Sequence, residues 1–446
     1  MRWCRQWLAI VSVALVAAGA AGLVVQPASA QAGTAADAPS PGHPFAYAVN
    51  SAAGTVTRVG LGFGAVGKPI KVGTNPVAIA INPNGTVAYV VNKGSNSVTP
   101  IYLPVGVTGT PLPVGHNPVA IAITPNGKTV FVVNSTDGTV TPINTVTNRV
   151  GGPITVATVS PAVFGIVISP DGKTGYVADA TLGSLTSFDT TWGVTDSNIV
   201  VPAGAPTWLT FAPDGRVIYG ATEWGPPQTP VLSAISVPSM EPGGGDGLII
   251  GSHPTSIAIT PNGQHVYTAD SGSGTLSEYS HTDSIATIDL GGSPRGVAVS
   301  PDGKFVWVAD ASTGRLIRVS VATGLQTSSI PVSSELDALA IVPDQAPLAI
   351  FTVTPAPHGQ PTAFDASASA VRFGTIAKYV WRFGDGTTAT TTGPTTTHTY
   401  ATARSYTATV TETDSAGTST AIVFTGQTVS RYGSSAAVFS KTFTVG

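Results

Sequence analysis

Seven residues interrupt an otherwise regular sequence and carry side chains that could do chemistry. They are His116, Trp208, Glu223, Trp224, His253, Arg295 and Glu335. Histidine and carboxylate side chains serve as general acids and bases. The face of a tryptophan packs against a sugar ring or an apolar side chain. Because no ordered Ser-His-Asp set accompanies them, these residues predict a polar and aromatic ligand patch.

Nothing in the sequence predicts a metal centre or a cofactor. The 7 histidines are scattered, without a His-x-x-x-His pair or a His/Cys cluster. The only cysteine, Cys4, precedes the apolar N-terminal stretch, so the mature chain would carry no thiol. EF-hand and phosphate-binding glycine motifs are also missing. We therefore expect no metal and no cofactor, and assign no catalytic residue.

The elements that position the seven residues come from an internal repeat. An alternating apolar run, a turn that is usually Pro-Asn-Gly or Pro-Asp-Gly, and a second apolar run recur along the chain. The turn prolines are Pro83, Pro125, Pro170, Pro213, Pro261, Pro301 and Pro343. A unit of about 43 residues accommodates the four short strands of one propeller blade.

Fixed offsets within the repeat support this interpretation. Six residues after the turn proline comes an aromatic residue: Tyr89, Phe131, Tyr176, Tyr219, Tyr267 and Trp307. Nine residues after it comes Asn92, Asn134, Asp179, Thr222, Asp270 and Asp310. Asn and Asp suit a side chain that caps its own turn. Inner-strand starts and the loops after second strands lie on one face of a propeller, so we expect the seven candidates there.

The two ends of the repeat region predict how the ring closes. Phe45–Val49 matches a second strand, and no inner strand precedes it. Leu336–Val342 supplies an inner strand. Pairing of these segments would complete the seventh blade and remove open sheet edges. We therefore predict an all-β fold whose body, residues 45–344, is a seven-bladed β-propeller.

Short strings within the repeat resemble YVTN-type β-propellers. Examples are Tyr-Val-Val-Asn at 89–92 and Phe-Val-Val-Asn at 131–134. The fourth unit departs most, because Tyr-Gly-Ala-Thr at 219–222 replaces the motif and an insertion lies between Glu223 and Gly247. The resemblance implies a bacterial or archaeal surface or secreted protein, in most cases without a known enzymatic activity.

A second module follows residue 346. Its motifs, in order, are Phe-Asp-Ala-Ser (364–367), Trp-Arg-Phe-Gly-Asp-Gly (381–386), His-Thr-Tyr (398–400) and Tyr-Thr-Ala-Thr-Val (406–410). They resemble a PKD (polycystic-kidney-disease) domain, an immunoglobulin-like β-sandwich, with Arg382 in place of the usual acidic residue. The resemblance implies an extracellular spacer or interaction module over residues 347–446.

The sequence also predicts details of this sandwich. Trp381 and Tyr406 are expected between its two sheets, and Gly384-Asp385-Gly386 is expected to form a tight turn. Residues 418–446 run past the expected final strand. We predict that they form an extended C-terminal hairpin with its turn near Arg431–Ser434.

Composition and the N-terminus predict an exported protein. Charged residues are 10% of the chain and hydrophobic residues 42%, which favours a folded chain over disorder. A net charge of −3 argues against nucleic-acid binding. Arg2, Arg5, an apolar stretch and Ala28-Ser29-Ala30 predict a signal peptide over residues 1–30, followed by a linker to residue 44. The stretch is long, so an uncleaved anchor is the alternative. No later run could span a membrane.

Three functions agree with these observations. The favoured one is a non-enzymatic binding protein, secreted or at the cell surface, with the propeller face as its ligand platform. A cell-wall glycan or an extracellular protein is the expected partner, and a monomer is expected because ring closure removes edges. The second is a lactonase or lyase acting at the central opening through His116, His253 and Glu335. The third is a structural envelope protein.

Overall fold

The computed structural model describes most of the chain after its N-terminal segment. The described residues are 44–157, 163–201, 204, 206–225, 229–237, 241–242, 247–280 and 285–446. The predicted signal peptide and residues 31–43 of the predicted linker lie outside them. Within these ranges no helix has the length and apolar character needed to cross a lipid bilayer.

Seven antiparallel sheets follow one another over the described residues up to 341. Their inner strands, which number blades 1 to 7, are Pro76–Ile81, Pro118–Ile123, Val163–Ile168, Pro206–Phe211, Pro254–Ile259, Pro294–Val299 and Leu336–Ile341. Each inner strand contacts the next, and that of blade 7 contacts that of blade 1. The sheets therefore form a closed ring, and the predicted all-β propeller fold is confirmed.

The other strands of each blade follow outward from the inner strand. The second strands of blades 1 to 7 are Val87–Asn92, Thr129–Asn134, Thr174–Asp179, Val217–Gly225, Val266–Asp270, Phe305–Asp310 and Phe45–Asn50. The third strands are Ser97–Tyr102, Thr139–Asn144, Ser184–Asp189, Thr229–Ser236, Thr275–Tyr279, Arg315–Ser320 and Thr55–Gly60. The outer strands are Val107–Thr108 with Leu112–Pro113, Arg149–Val150 with Ile154–Thr155, Thr195–Val200, Glu241–Pro242 with Leu248–Ile249, Ile285–Asp289, Gln326–Pro331 and Val66–Lys71.

Blade 7 is assembled from both ends of the repeat region. Phe45–Asn50 pairs antiparallel with Leu336–Ile341, so that Ala46 lies opposite Ile341. The ring closure predicted from the sequence is therefore confirmed. It leaves no unpaired blade edge between the first and last repeats.

The propeller core lies between neighbouring blades. The aromatic residue of every repeat is less than 5% exposed and packs there with Val, Ile, Leu and Ala side chains. These residues are Tyr47, Tyr89, Phe131, Tyr176, Tyr219, Tyr267 and Trp307. Burial of such a side chain contributes roughly 1.5–3 kcal/mol to the free energy of unfolding. Each repeat therefore supplies the aromatic side chain that packs its blade against a neighbour.

The C-terminal module has two principal sheets. One holds Thr352–Thr354, Pro361–Asp365 and Thr395–Thr399, and the other holds Thr388–Thr391, Ile376–Arg382, Ser405–Asp414 and Val438–Thr444. Trp381 and Tyr406 are buried between them, as predicted. The predicted tight turn is present, because Gly384 and Gly386 have φ of 85° and 94°.

The predicted C-terminal turn near Arg431–Ser434 is wrong. Ile422–Phe424 pairs with Val429–Tyr432, so the turn lies at Thr425–Thr428. A short 3-10 helix, Ser435–Ala437, then leads into Val438–Thr444. That last strand pairs with Ser405–Asp414 in the sandwich, because its alternating side chains help to fill the aromatic core.

The hairpin that contains this turn extends from the sandwich to the propeller axis. We call Ile422–Tyr432 the plug hairpin and Thr425–Thr428 its tip. Three inner strands donate backbone hydrogen bonds to the tip: Ile123 N to Gln427 O (3.1 Å), Ile168 N to Gly426 O (2.7 Å) and Phe211 N to Thr425 O (3.0 Å). The tip thus satisfies free inner-strand edges that line the axis.

Further contacts fix the sandwich to the same end of the ring, where the Pro-Asn-Gly turns lie. We call this end the turn face and the opposite end the loop face. Gln345 Nε2 donates to Pro83 O at 2.9 Å, and Arg372 Nη1 donates to Asn84 O at 3.1 Å. The sandwich therefore covers the turn face, and the loop face is the one on which inner strands begin.

Candidate ligand-binding face

The residue immediately before the inner strand has a recurring conformation on the loop face. Asn75, Asn117, His253 and Glu335 have φ between 50° and 55°. Asn adopts this left-handed region routinely, whereas most other L-residues do so at a cost. His253 and Glu335 therefore stand where blades 1 and 2 use Asn.

This conformation identifies a strained position that can be tested. Glu335 has an exposed side chain, so Glu335→Asn removes little besides the strain. We expect Glu335→Asn to raise the free energy of unfolding by about 0.5–1 kcal/mol, measured by urea denaturation. Glu335→Ala, which keeps the strain, should not gain stability. A loss of stability in the Asn variant would contradict this account.

Except in blade 4, an Asn or Asp ends the second strand and caps the loop that follows. In blade 1 the Asn92 amide donates to the Ser97 and Thr99 hydroxyls. In blade 2 the Asn134 amide donates to Thr139 and Thr141 in the same way. These side chains are fully buried. Their role is structural, as the fixed offset predicted.

Asp270 occupies this position in blade 5 without an amide to donate. It is fully buried and accepts from the Ser277 hydroxyl at 2.7 Å, and its Oδ1 has no hydrogen-bond partner in the described part of the chain. Burial raises the pKa of Asp270 to about 6 from 3.8. Because the folded-state pKa is the higher one, the stabilisation is complete below about pH 4 and is lost as pH rises through about 6.

Asp270→Asn should remove this pH dependence. The amide can donate to Thr275 and Ser277, as Asn92 and Asn134 do to their equivalents. Between about pH 4 and pH 8 the wild type should lose about 2–3 kcal/mol that the variant keeps, measured by urea titrations across that range.

Asp310 provides the matched control in the next blade. Although burial alone would raise the pKa of Asp310, hydrogen bonds from the Ser293 N–H and the Ser312 hydroxyl lower it. Asp310→Asn should therefore destabilise the protein at neutral pH. If both Asn variants shift stability in the same direction, the electrostatic explanation is incorrect.

The structure brings two of the seven predicted residues into direct contact. His253 Nε2 lies 3.1 Å from Glu223 Oε1, which links blade 5 to blade 4. Arg295 pairs with Asp337, which links blade 6 to blade 7, and Asp337 also accepts from the Ser51 N–H. Side-chain pairs thus bridge neighbouring blades at two places on the loop face.

His116 has a separate partner. Its Nδ1 lies 2.9 Å from Asp137 Oδ1, and its backbone N–H donates to Asp137 Oδ2 at 2.7 Å. The backbone hydrogen bond from His116 lowers the pKa of Asp137. Asp137 is not among the seven residues predicted from the sequence, although Ser95 and Ser273 stand at the same offset in blades 1 and 5. The presence of Asp where these two blades have Ser is the sequence feature that could have identified Asp137.

The remaining candidates contribute less to a common site. Trp208 is partly buried and packs against the core between blades 4 and 5. The Trp224 side chain lies outside the described part of the structure. No contact in the described residues joins His116, His253 and Arg295 to one another, since each faces a carboxylate of its own. Nor do three His, Asp, Glu or Cys side chains gather there into a potential metal site.

Comparison with known proteins places the C-terminal module in a family. Residues 344–429 match the model of the PKD domain, which is typically an extracellular module. Curated protein sequences give no significant match to the chain. Because the family match covers only this segment, it describes the module and not the whole protein.

Solved structures with the same fold match the propeller. A functionally unknown protein from Desulfotomaculum acetoxidans is 13% identical, with a TM-score of 0.59 over 67% of this chain and 98% of that one. A candidate 6-phosphogluconolactonase from Bacteroides uniformis is 19% identical, with a TM-score of 0.55 over 67% and 99%. Virginiamycin B lyase from Staphylococcus aureus is 14% identical, with a TM-score of 0.50 over 65% and 90%. At these identities the likeness concerns the fold alone.

Proposed function

We propose that this chain is a non-enzymatic binding protein, secreted or held at the cell surface, whose loop face is the ligand platform. The plug hairpin carries this proposal, because its tip occupies the axis at the turn face. A ligand approaching the axis is then left with the loop face, where polar side-chain pairs bridge adjacent blades. The seven sheets would be blades of the YVTN type. The protein would be a monomer, and its signal peptide would direct export.

The PKD module would serve adhesion or act as a spacer. Its contacts with the turn face support a fixed attachment, since Arg372 and Gln345 donate to turn carbonyls of blade 1. A fixed module would hold the loop face away from whatever surface the sandwich contacts. A cell-wall glycan or an extracellular protein is the proposed partner, because the side-chain pairs that bridge blades offer polar contacts on the loop face.

A binding experiment with tryptophan variants tests the platform. Wall fragments and a glycan array would be probed with wild type, Trp208→Ala, Trp224→Ala and Trp192→Ala. Trp192 is the control, because its side chain is 82% exposed on a turn between the third and outer strands of blade 3. We expect at least a tenfold loss of binding in the first two variants and none in Trp192→Ala.

Two outcomes would contradict the platform. Binding that survives both loop-face substitutions would move the ligand elsewhere, and an equal loss in Trp192→Ala would indicate non-specific adsorption. Thermal unfolding of Trp208→Ala must accompany the assay, since Trp208 packs against a core cluster. A complete absence of saturable binding, with retention in the wall fraction, would favour the structural envelope protein.

The His253–Glu223 pair supports a second candidate function. A histidine held by a carboxylate is a common arrangement for a general base, and its ring here is 63% exposed. A lactonase or lyase reaction at the central opening would use this pair with His116 and Glu335. Turnover of lactones that disappears in His116→Ala combined with His253→Ala would establish the enzyme, and unchanged lactone in wild type would exclude it.

A further inference from the structure

A cleft lies on the turn face where the propeller meets the sandwich. Its volume is about 270 Å³, just below the roughly 300–1,000 Å³ typical of sites for drug-sized ligands. Blade 6 supplies Lys304, Phe305, Trp307 and Arg318 to its wall, and the sandwich supplies Phe373. The cleft is therefore completed only when both modules are in place.

The residues of blade 6 in this cleft depart from the repeat. The position of Trp307 is Tyr or Phe in the other six blades. Arg318 pairs with Trp307 across the sheet, where blades 1 and 2 place a proline. Phe305 begins the second strand, where the corresponding residues of blades 1 to 5 are not phenylalanine. Blade 7 has the same pair in Phe45 and Arg58, so the tryptophan is the residue particular to blade 6.

Arg318 is held so that part of its guanidinium stays available. Its Nε donates to the Thr327 hydroxyl at 2.8 Å, and its Cζ lies 4.6 Å from the centre of the Phe305 ring. Neither terminal nitrogen has an acceptor among the described residues. A guanidinium fixed at Nε and stacked on an aromatic ring presents two parallel donors, the geometry that binds a carboxylate.

A second cation and the apolar walls define the rest of the ligand. The Lys304 side chain is two-thirds exposed, and its ammonium lies 4.0 Å from Asp302, too far for a close pair. Phe305 lines the cleft from the propeller, and Phe373, which is 8% exposed, lines it from the sandwich. An anionic group near Arg318 and Lys304 with a flat apolar body between the rings satisfies both features.

We propose that this cleft is a binding site for a small organic carboxylate with a flat apolar body. The carboxylate is bound by Arg318 with Lys304 near it, and the body lies between Phe305 and Phe373. This site is separate from the loop face, and its occupancy does not depend on the proposed platform. Because both modules form it, the ligand would also strengthen their attachment.

Benzoate is the probe that tests this site, with benzyl alcohol as its uncharged analogue, both titrated calorimetrically into the full chain. We expect saturable benzoate binding, weakened at least tenfold in Arg318→Gln and severalfold in Lys304→Gln. Binding should also weaken as salt rises, because the cations are partly exposed. Benzyl alcohol should bind at least tenfold more weakly than benzoate.

Two matched variants keep the test specific. Arg58→Gln is the first, because Arg58 stacks on Phe45 in blade 7 as Arg318 does on Phe305, but donates to Pro104 O outside the cleft. Lys128→Gln is the second, because Lys128 follows the same turn in blade 2. Both should bind benzoate normally. Absence of saturable binding to wild type, or equal weakening in the Arg58 and Arg318 variants, would overturn the proposal.

Discussion

Gly426→Ala should detach the tip of the plug hairpin from the propeller axis. A Cβ at residue 426 would lie 2.9 Å from Val167 Cγ1 and 2.9 Å from Phe211 Cβ, closer than real contacts allow. The backbone there has φ of 94°, which adds strain for any side chain. We expect a loss of about 3–4 kcal/mol in the free energy of unfolding, from strain and clash together.

Gly386→Ala isolates the backbone-strain part of this effect. Gly386 has the same φ of 94°, and a Cβ there would have nothing within 4 Å. Its loss should be the strain alone, about 1–2 kcal/mol. The difference between the two variants, measured by urea denaturation, gives the contribution of tip packing.

Amide hydrogen exchange shows whether the lost stability comes from the axis. The amides of Ile168 and Phe211 donate to the tip and should exchange faster in Gly426→Ala than in Gly386→Ala. The amide of Val90, in the second strand of blade 1, should change less. Equal stability losses, or unchanged exchange at Ile168, would show that the tip does not hold the modules together.

The sequence predicted the propeller because its repeat encodes packing locally. Tyr89 and its equivalents recur at a fixed offset, and each fills the space between two blades. Pairing of Phe45–Asn50 with Leu336–Ile341 followed from the missing strands at the two ends. Alternation and turn chemistry were sufficient for both, since each involves strands of known type.

The plug hairpin could not be predicted in this way. Thr425–Thr428 is polar and small, as an ordinary surface turn would be. Its partners are the N–H groups of inner strands more than two hundred residues earlier in the chain, and backbone groups leave no trace in side-chain pattern. Gly426 allows the close backbone approach to the propeller, but glycine also occurs in many ordinary turns and therefore does not predict this contact.

The candidate site was predictable only residue by residue. His253 and Glu223 were each selected because they depart from the repeat, yet their contact across two blades appears only in the fold. Arg295 was selected without its partner Asp337. Departures from a repeat therefore identified charged residues, whereas their pairing depended on which blades are neighbours.

The second large effect concerns two buried carboxyl groups where the modules join. Asp344 follows the last propeller strand, and Asp414 ends a sandwich strand; both are at most 3% exposed. The Thr418 hydroxyl donates to Asp344 Oδ2, and the Ala416 and Thr418 N–H groups donate to Asp414 Oδ1. Among the described residues, Asp344 Oδ1 and Asp414 Oδ2 have no other partner, so a proton shared between them is the available hydrogen bond.

This arrangement makes the stability of the junction depend on pH. Burial, and then the neighbouring Asp414 carboxyl, raise the pKa of Asp344 to about 7 from 3.8. The folded state holds the proton more tightly than the unfolded chain does. Its stabilisation is therefore complete below about pH 4 and is lost as pH rises through about 7.

Asp344→Asn should abolish that loss. The amide oxygen can keep the bond from Thr418, and the amide nitrogen can donate to Asp414 Oδ2, which has no partner in the wild type. Between about pH 4 and pH 8 the wild type should lose about 3–4 kcal/mol that the variant retains. Urea titrations at several pH values, at constant ionic strength, measure how the free energy of unfolding of each protein changes with pH.

Asp214→Asn separates this effect from a general change in charge. Asp214 is exposed and caps its turn by accepting from the Arg216 N–H, as Asn126 does for Lys128 in blade 2. The substitution removes the same charge without touching the junction, so the free energy of unfolding should change with pH as it does in the wild type.

If the free energy of unfolding of Asp344→Asn also changes with pH as in the wild type, the two carboxyl groups do not share a proton. If the variant is instead less stable at every pH, its amide has failed to bond with Asp414. The expected flattening would mean that the modules are held together most firmly in acid, because the shared proton lies at their junction.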